Sequence, residues 1–173
     1  LRAAREAIEA AGVEVRVVSS GGTPWSYRTH EVGEVTEIRC GTSVYGDRGC
    51  AANGTVPIED AALRVRATVV SRPTRDRAIL DAGMKTLTSD AVEADEPGFG
   101  YVVEHPEAQI TALHEEHGFV DVSRCRDAFE VGEVVTIVPN HACGCTNMHD
   151  EVAAHRGGRI VGIWPVAARG KLR

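Results

Sequence analysis

Apolar positions fall into helix-period and strand-period runs that change character part-way along the chain. Ala3, Ala4, Ala7, Ile8 and Ala11 recur at helical spacing in "LRAAREAIEAAG", with Gly12 as the stop, so residues 2–11 are expected to form a helix. Val13, Val15, Val17 and Val18 then predict a short strand, "SSGGTP" a glycine-rich turn, and residues 34–45 a second strand running into a Gly-Thr turn. Helix, buried strand and turn in succession are the signature of a parallel α/β sheet or barrel, here with room for its last part only. Beyond Val56-Pro57 the pattern becomes short β-rich runs at 63–73, 77–84, 99–106, 110–123, 131–139 and 151–166, separated by Gly, Pro and Asp. That spacing predicts an antiparallel β domain, with Gly157-Gly158 as a two-residue hairpin turn. The expected class is therefore α/β plus all-β, divided into residues 1–57 and 58–173.

Composition narrows the function classes. The 173 residues are 43% hydrophobic and 25% charged, enough for a core. A net charge of -6 gives no reason to expect nucleic acid or an anionic membrane as partner, and no apolar run approaches the roughly 20 residues of a membrane span. The amino terminus is a charged amphipathic helix, not a signal peptide, and it opens in mid-helix without Met, as a piece of a longer chain would. With no secretion signal, five cysteines point to free thiols or metal ligands in a reducing cytoplasm. Asn53-Gly54-Thr55 is then a turn, not a glycosylation acceptor.

The chemistry concentrates in "PNHACGCTNMHDE", residues 139–151, where His141, Cys143, Cys145 and His149 lie within nine positions. If extended geometry persists past the strand at 134–138, His141 and Cys143 project to one side and form half of a tetrahedral Zn²⁺ site. Three readings stay open: an open site of these two ligands, a closed cage completed by Cys145 and His149, and no metal. A Cys143–Cys145 disulfide would close too tight a ring. "VVSSGGTP" and "RCGTSVYGD" are two strand-end turns of small and hydroxyl residues, suited to a shared anion. "HEEHG" places its histidines three apart, not four, which excludes the zinc-protease pattern. Asp81 and Asp90 are read as turn formers, and Trp25 and Trp164 as packing residues.

In order, "VVSSGGTP", "EIRCGTSVYGD", "VVSRPTRDRAILDAGMKTLTSD", "HEEHG", "VPNHACGCTNMHDE" and "IWPVAARG" resemble the carboxy-terminal half of the D-threonine aldolase and D-serine dehydratase family, pyridoxal-phosphate enzymes of alanine-racemase-like fold. The resemblance runs nearly end to end. It implies the last part of a (β/α)8 barrel followed by a β domain, and a lyase acting on a small β-hydroxy D-amino acid. It implies that Thr23, Gly41 and Thr42 cradle the phosphate of pyridoxal 5'-phosphate. It further implies that His141 and Cys143 hold a divalent metal, Zn²⁺ favoured over Mn²⁺, at the substrate hydroxyl, and that the full-length form is a cytoplasmic homodimer. Glu116 and His117 would line the pocket. Dehydratases of the family commonly carry His-x-Cys and several aldolases His-x-Asp, so Cys143 tilts the expectation towards dehydration. Members usually read Pro-Gly-Thr-Tyr where this chain has Cys40-Gly41-Thr42-Ser43, so the aromatic beside the phosphate is either missing or replaced by Tyr45. Cys145 stands where Thr is common. The Schiff-base lysine lies upstream of the part represented here, and neither Lys85 nor Lys171 stands in its place. The rival expectations are a non-catalytic metal-binding β domain from a truncated gene and a subunit that borrows its missing half-barrel from a partner chain.

Overall fold

A computed structural model describes residues 1–92, 97–125 and 129–171. Helix α1, Arg2–Ala10, ends at Gly12, whose positive φ of 84° and bond to the Glu9 carbonyl close the last turn. Strand β1 (Ser19–Gly21) pairs in parallel with β2 (Glu37–Arg39), and between them lie a 3-10 turn at Thr23–Trp25 and helix α2 (Ser26–Thr29). The strand expected at 13–18 is irregular: Val13 and Val17 are exposed, and regular pairing starts only at Ser19, because among the described residues the partner strand is β2, which is three residues long. A further 3-10 turn, Thr42–Val44, leads into helix α3 (Arg48–Ala52) and a third 3-10 turn at Ile58–Asp60.

After residue 57 the chain is dominated by antiparallel pairing. Strands β3 (Val65–Thr74), β4 (Arg77–Leu80), β5 (Tyr101–Val102), β6 (Gln109–Leu113), β7 (Gly118–Asp121) and β8 (Val134–Val138) form one sheet in the order β5-β8-β3-β4-β7-β6. Its two edges approach each other, with the Phe99 amide donating to the Ile110 carbonyl at 3.0 Å, so the sheet is nearly a barrel. Alternate residues point inward: Ala67 and Val69 on β3, Leu80 on β4, Ile110 on β6, Val120 on β7, and Val135 and Ile137 on β8 are all buried, and Phe129 fills the interior between them. Helix α4 (Met84–Leu87) follows β4 and packs on the β6–β7 turn, where Gly83 lies so close to the carbonyls of His114 and Glu115 that no Cβ would fit. Helix α5 (Ala142–Asn147) follows β8.

Strands β9 (Glu151–Arg156) and β10 (Arg159–Pro165) form a separate two-stranded hairpin. Gly157 and Gly158 form the expected two-residue turn, and their φ values of 55° and 76° give it the double left-handed geometry of type I′. No helix among the described residues is long and apolar enough to cross a membrane.

Candidate functional site

Two short helices meet where β8 leaves the sheet. The expectation that His141 and Cys143 continue an extended strand is corrected: strand geometry stops at Val138, His141 is the N-cap of α5, and Cys143 sits in its first turn. The cause lies 95 residues upstream. The buried carboxylate of Asp47 accepts the Cys50 amide at 2.8 Å through Oδ1 and the Ala142 amide at 2.9 Å through Oδ2, capping α3 and α5 together. The His141 side chain makes no cap of its own. In return the first amides of α3 serve the chain leaving β8, Arg48 donating to the Pro139 carbonyl and Gly49 to that of Asn140. Asn140, also buried, donates to the carbonyls of Asp90 and Gly98 at 2.8 and 2.7 Å, and Arg48 donates to its Oδ1.

His141 is held from the other side. Its Nδ1 lies 2.8 Å from Asp90 Oδ2, and since a carboxylate only accepts, the imidazole donates from Nδ1 and leaves Nε2 free. Asp90 is thus a partner of the candidate ligand, not only the turn former expected. It stands on a strained turn: Thr88, buried, has φ 65° and ψ 171°, a region nearly restricted to glycine. The Thr88 hydroxyl donates to Asp90 Oδ2 at 3.2 Å, and its methyl packs against the backbone of Gly144, where a Cβ would stand 2.8 Å away.

Cys143 is exposed, and its Sγ lies 3.5 Å from Thr42 Oγ1. The two strand-end turns are themselves joined, the Ser43 amide donating to the Thr23 hydroxyl at 3.0 Å. Thr23, Gly41 and Thr42 therefore belong to one pair of linked turns, beyond the carboxyl ends of β1 and β2, and that pair touches Cys143. Gly41 has open space where a side chain would be.

The closed cage does not assemble. Cys145 is buried, which pushes its thiol up to about 11, and His149 Nδ1 turns back to the Cys145 carbonyl at 2.8 Å. Cys50, buried beside Asp47, is pushed up to about 12, first by burial and then by that carboxylate. Among the described residues no group of three or more His, Cys, Asp or Glu side chains comes together as a metal cage. Glu116 and His117 are exposed; Glu116 accepts from Lys85 Nζ at 2.7 Å, and that bond raises the lysine pKa. Asp81, expected to form a turn, instead reaches across to strand β3 and accepts the Thr68 amide, 13 positions away, at 2.6 Å. Trp25 and Trp164 are 70% and 59% exposed, so the packing role expected for them is not seen. A cavity of 430 Å³ lined by Asp76, Arg77, Phe119 and Asp121 lies on the β4–β7 side of the sheet and shares no residue with this site.

Sequence reasoning missed Asp47, Asn140 and Thr88. Asp47 alone left a local signal, an Asp three residues before the amide it caps.

A family model described as "Putative serine dehydratase domain" matches residues 62–155. A D-threonine aldolase of Arthrobacter sp is 34% identical over 168 residues, 94% of this chain and 42% of its own length. An uncharacterised protein of Mycobacterium tuberculosis is 42% identical over 116 residues, 65% of this chain and 86% of its own. Among solved structures, an alanine-racemase-like protein of Idiomarina loihiensis superposes with a TM-score of 0.81 at 24% identity, covering 95% of this chain and 47% of that one, a likeness of fold. D-threo-3-hydroxyaspartate dehydratase from Delftia sp. HT23 superposes with a TM-score of 0.78 at 31% identity, covering 94% and 47%. A dehydratase of that name has also been solved with a histidine replaced by alanine, and with the cysteine two positions further replaced by alanine in the metal-free form. The chain spans less than half the length of that aldolase and that dehydratase.

Proposed function

The chain belongs to the serine dehydratase domain family, and from that premise we propose that it forms part of a pyridoxal-phosphate-dependent lyase acting on a β-hydroxy D-amino acid such as D-serine or D-threonine. Residues 1–57 would contribute the end of the cofactor barrel and residues 58–173 the β domain with the metal pair, in a cytoplasmic, homodimeric enzyme. One observation carries the reading: Thr42 of the phosphate turn and Cys143 of the metal pair are in contact at 3.5 Å, although 101 positions apart.

The residues fit a divalent metal as two ligands of an open site. His141 presents Nε2 because Nδ1 is engaged by Asp90, and Cys143 presents an exposed sulfur. Imidazole with thiolate suits Zn²⁺. A histidine and a cysteine at the same spacing are the residues altered in the dehydratase variants, which supports dehydration over aldol cleavage. Fit to the cofactor is partial. The linked turns of Thr23, Gly41 and Thr42 can receive a phosphate, whereas Lys85 is held protonated by Glu116 and so is no free amine for the cofactor's aldehyde. When bound, the cofactor supplies an electron sink at the substrate α-carbon and the metal supplies Lewis acidity at the β-hydroxyl.

This chain's own residues then have three tasks. Thr42 and its turn fix one end of the site. Asp47 fixes the other by capping α3, which follows that turn, and α5, which carries Cys143, so the two ends keep one spacing. Asp90 and Asn140 hold His141 and the chain leading into it. The test is metal content. The chain equilibrated with Zn²⁺ and dialysed is expected to retain about one ion, and His141→Ala or Cys143→Ser to lose it; retention in both variants overturns the assignment.

A second reading, a metal-binding β domain without catalysis, is favoured by the Mycobacterium tuberculosis relative, whose length is 86% accounted for by a match of 116 residues. Retained zinc with no absorbance change on mixing with pyridoxal phosphate would support it.

A further inference from the structure

We propose that Asp90 is a positioning residue that sets the tautomer of His141, with the strained turn at Thr88 serving to aim it. The inference rests on His141 being a metal ligand, but its own evidence is separate. An unrestrained neutral imidazole favours hydrogen on Nε2. Here Asp90 Oδ2, 2.8 Å from Nδ1, holds the hydrogen on Nδ1 and turns the Nε2 lone pair outward.

Everything around Asp90 is arranged to keep its carboxylate there. Its backbone carbonyl is gripped by the buried amide of Asn140, the residue preceding His141, so the main chains of the two partners are tied as well as their side chains. The Thr88 hydroxyl donates to the same Oδ2 that faces the imidazole, and the Asp90 amide lies 3.4 Å from that hydroxyl. Thr88 does this from a positive-φ conformation, which costs on a residue with a Cβ and persists where surroundings over-determine it. Gly144 is part of those surroundings. Lacking a side chain, it lets the Thr88 methyl close on α5 one residue beyond Cys143, and a Cβ there would also come within 3.2 Å of Asp90 Oδ2. One turn thus touches the histidine by its carboxylate and the cysteine's helix by its methyl. The Asp90 side chain is half exposed, so its role is one of aim and not of core packing.

The experiment reads the tautomer in metal-free protein, by two-bond proton–nitrogen NMR correlations of the His141 ring in the ¹⁵N-labelled chain. Wild type is expected to show hydrogen on Nδ1. Asp90→Ala is expected to revert to the Nε2-protonated form, and Asp90→Asn, which keeps an oxygen acceptor, to restore the wild-type pattern. In parallel, Co²⁺ titrations followed by the thiolate charge-transfer band are expected to show affinity about 10- to 100-fold weaker in Asp90→Ala. An Nε2-protonated ring in wild type, or an unchanged tautomer in Asp90→Ala, overturns the proposal whatever the metal does. Wild-type protein that takes up no Co²⁺ fails the metal reading separately, since the ring spectra do not depend on it.

Discussion

Cys145 and Cys50 are both buried within the clamp between α3 and α5, while Cys143, two residues before Cys145, is exposed. Burial separates their chemistry: Cys145 and Cys50 rise from an ordinary 9.0 to about 11 and about 12 and remain neutral thiols, whereas Cys143 is the member of this cluster whose sulfur is exposed to an incoming cation. The consequence for stability has a definite sign. Below pH 9 both states of the chain keep these protons, and stability is insensitive to them. Above pH 9 the unfolded thiols ionise while the folded ones do not, so stability falls as pH rises, by about 1.4 kcal/mol per pH unit for each fully buried thiol, until the folded pKa is passed. Urea unfolding at pH 8 and pH 10 is expected to show the lower midpoint at pH 10; equal midpoints would show that the buried thiols ionise as freely as exposed ones.

At the scale of elements, α3 and α5 are five and six residues long, far below the ~12–15 at which an isolated helix becomes marginal. "ACGCTN" has little helix propensity, and what makes it a helix is a carboxylate 95 positions upstream. Removing that carboxylate uncaps both helices and strands two amides. Asp47→Ala is expected to cost about 3 kcal/mol in urea unfolding, with Asp47→Asn, which keeps one strong acceptor, nearer half of that. A loss under about 0.5 kcal/mol would mean that the helices do not depend on the shared cap. The same dependence explains what was legible in the chain. The Gly157-Gly158 hairpin and the strands β3, β4 and β8 depend on period and turn chemistry, which are local, and they could be read; the single run expected at 110–123 is instead two strands, β6 and β7, joined at residues 114–117. The strand-end Gly-Thr turns and the pair His141/Cys143 were legible as residue types. Their geometry was not, because the helical turn at Cys143 and the aim of His141 are imposed by Asp47, Asn140 and Asp90 through contacts 50 to 95 positions apart. The strand expected at 13–18 failed for a related reason: four valines show apolar character but not a partner to pair with.

At the scale of the whole molecule, apolar burial is concentrated in the antiparallel sheet, and the segments flanking it are left uncovered. Helix α1 buries none of its residues and, at nine residues, is too short to persist in water on propensity alone. Among the described residues the β9–β10 hairpin has no third strand, and a two-stranded hairpin is marginal by itself; yet Ile160, Val161, Ile163 and Trp164 are all exposed along it. Trp25, Tyr27 and Val44 add a further apolar surface beside the parallel pair β1–β2, which among the described residues is a two-stranded sheet with two open edges. Ordered elements with both faces wet need a covering surface, and in a solution of this chain alone the surface at hand is another copy of it. Sedimentation velocity over a range of concentrations is therefore expected to show a weight-average mass that climbs above the monomer value. Trp164→Ser combined with Ile163→Ser should reduce the association if the hairpin carries it, since neither side chain supports the sheet core. A single monomeric boundary at every concentration, in the wild-type chain, would mean that these faces are tolerated in water and that no partner surface is required to hold the flanking elements.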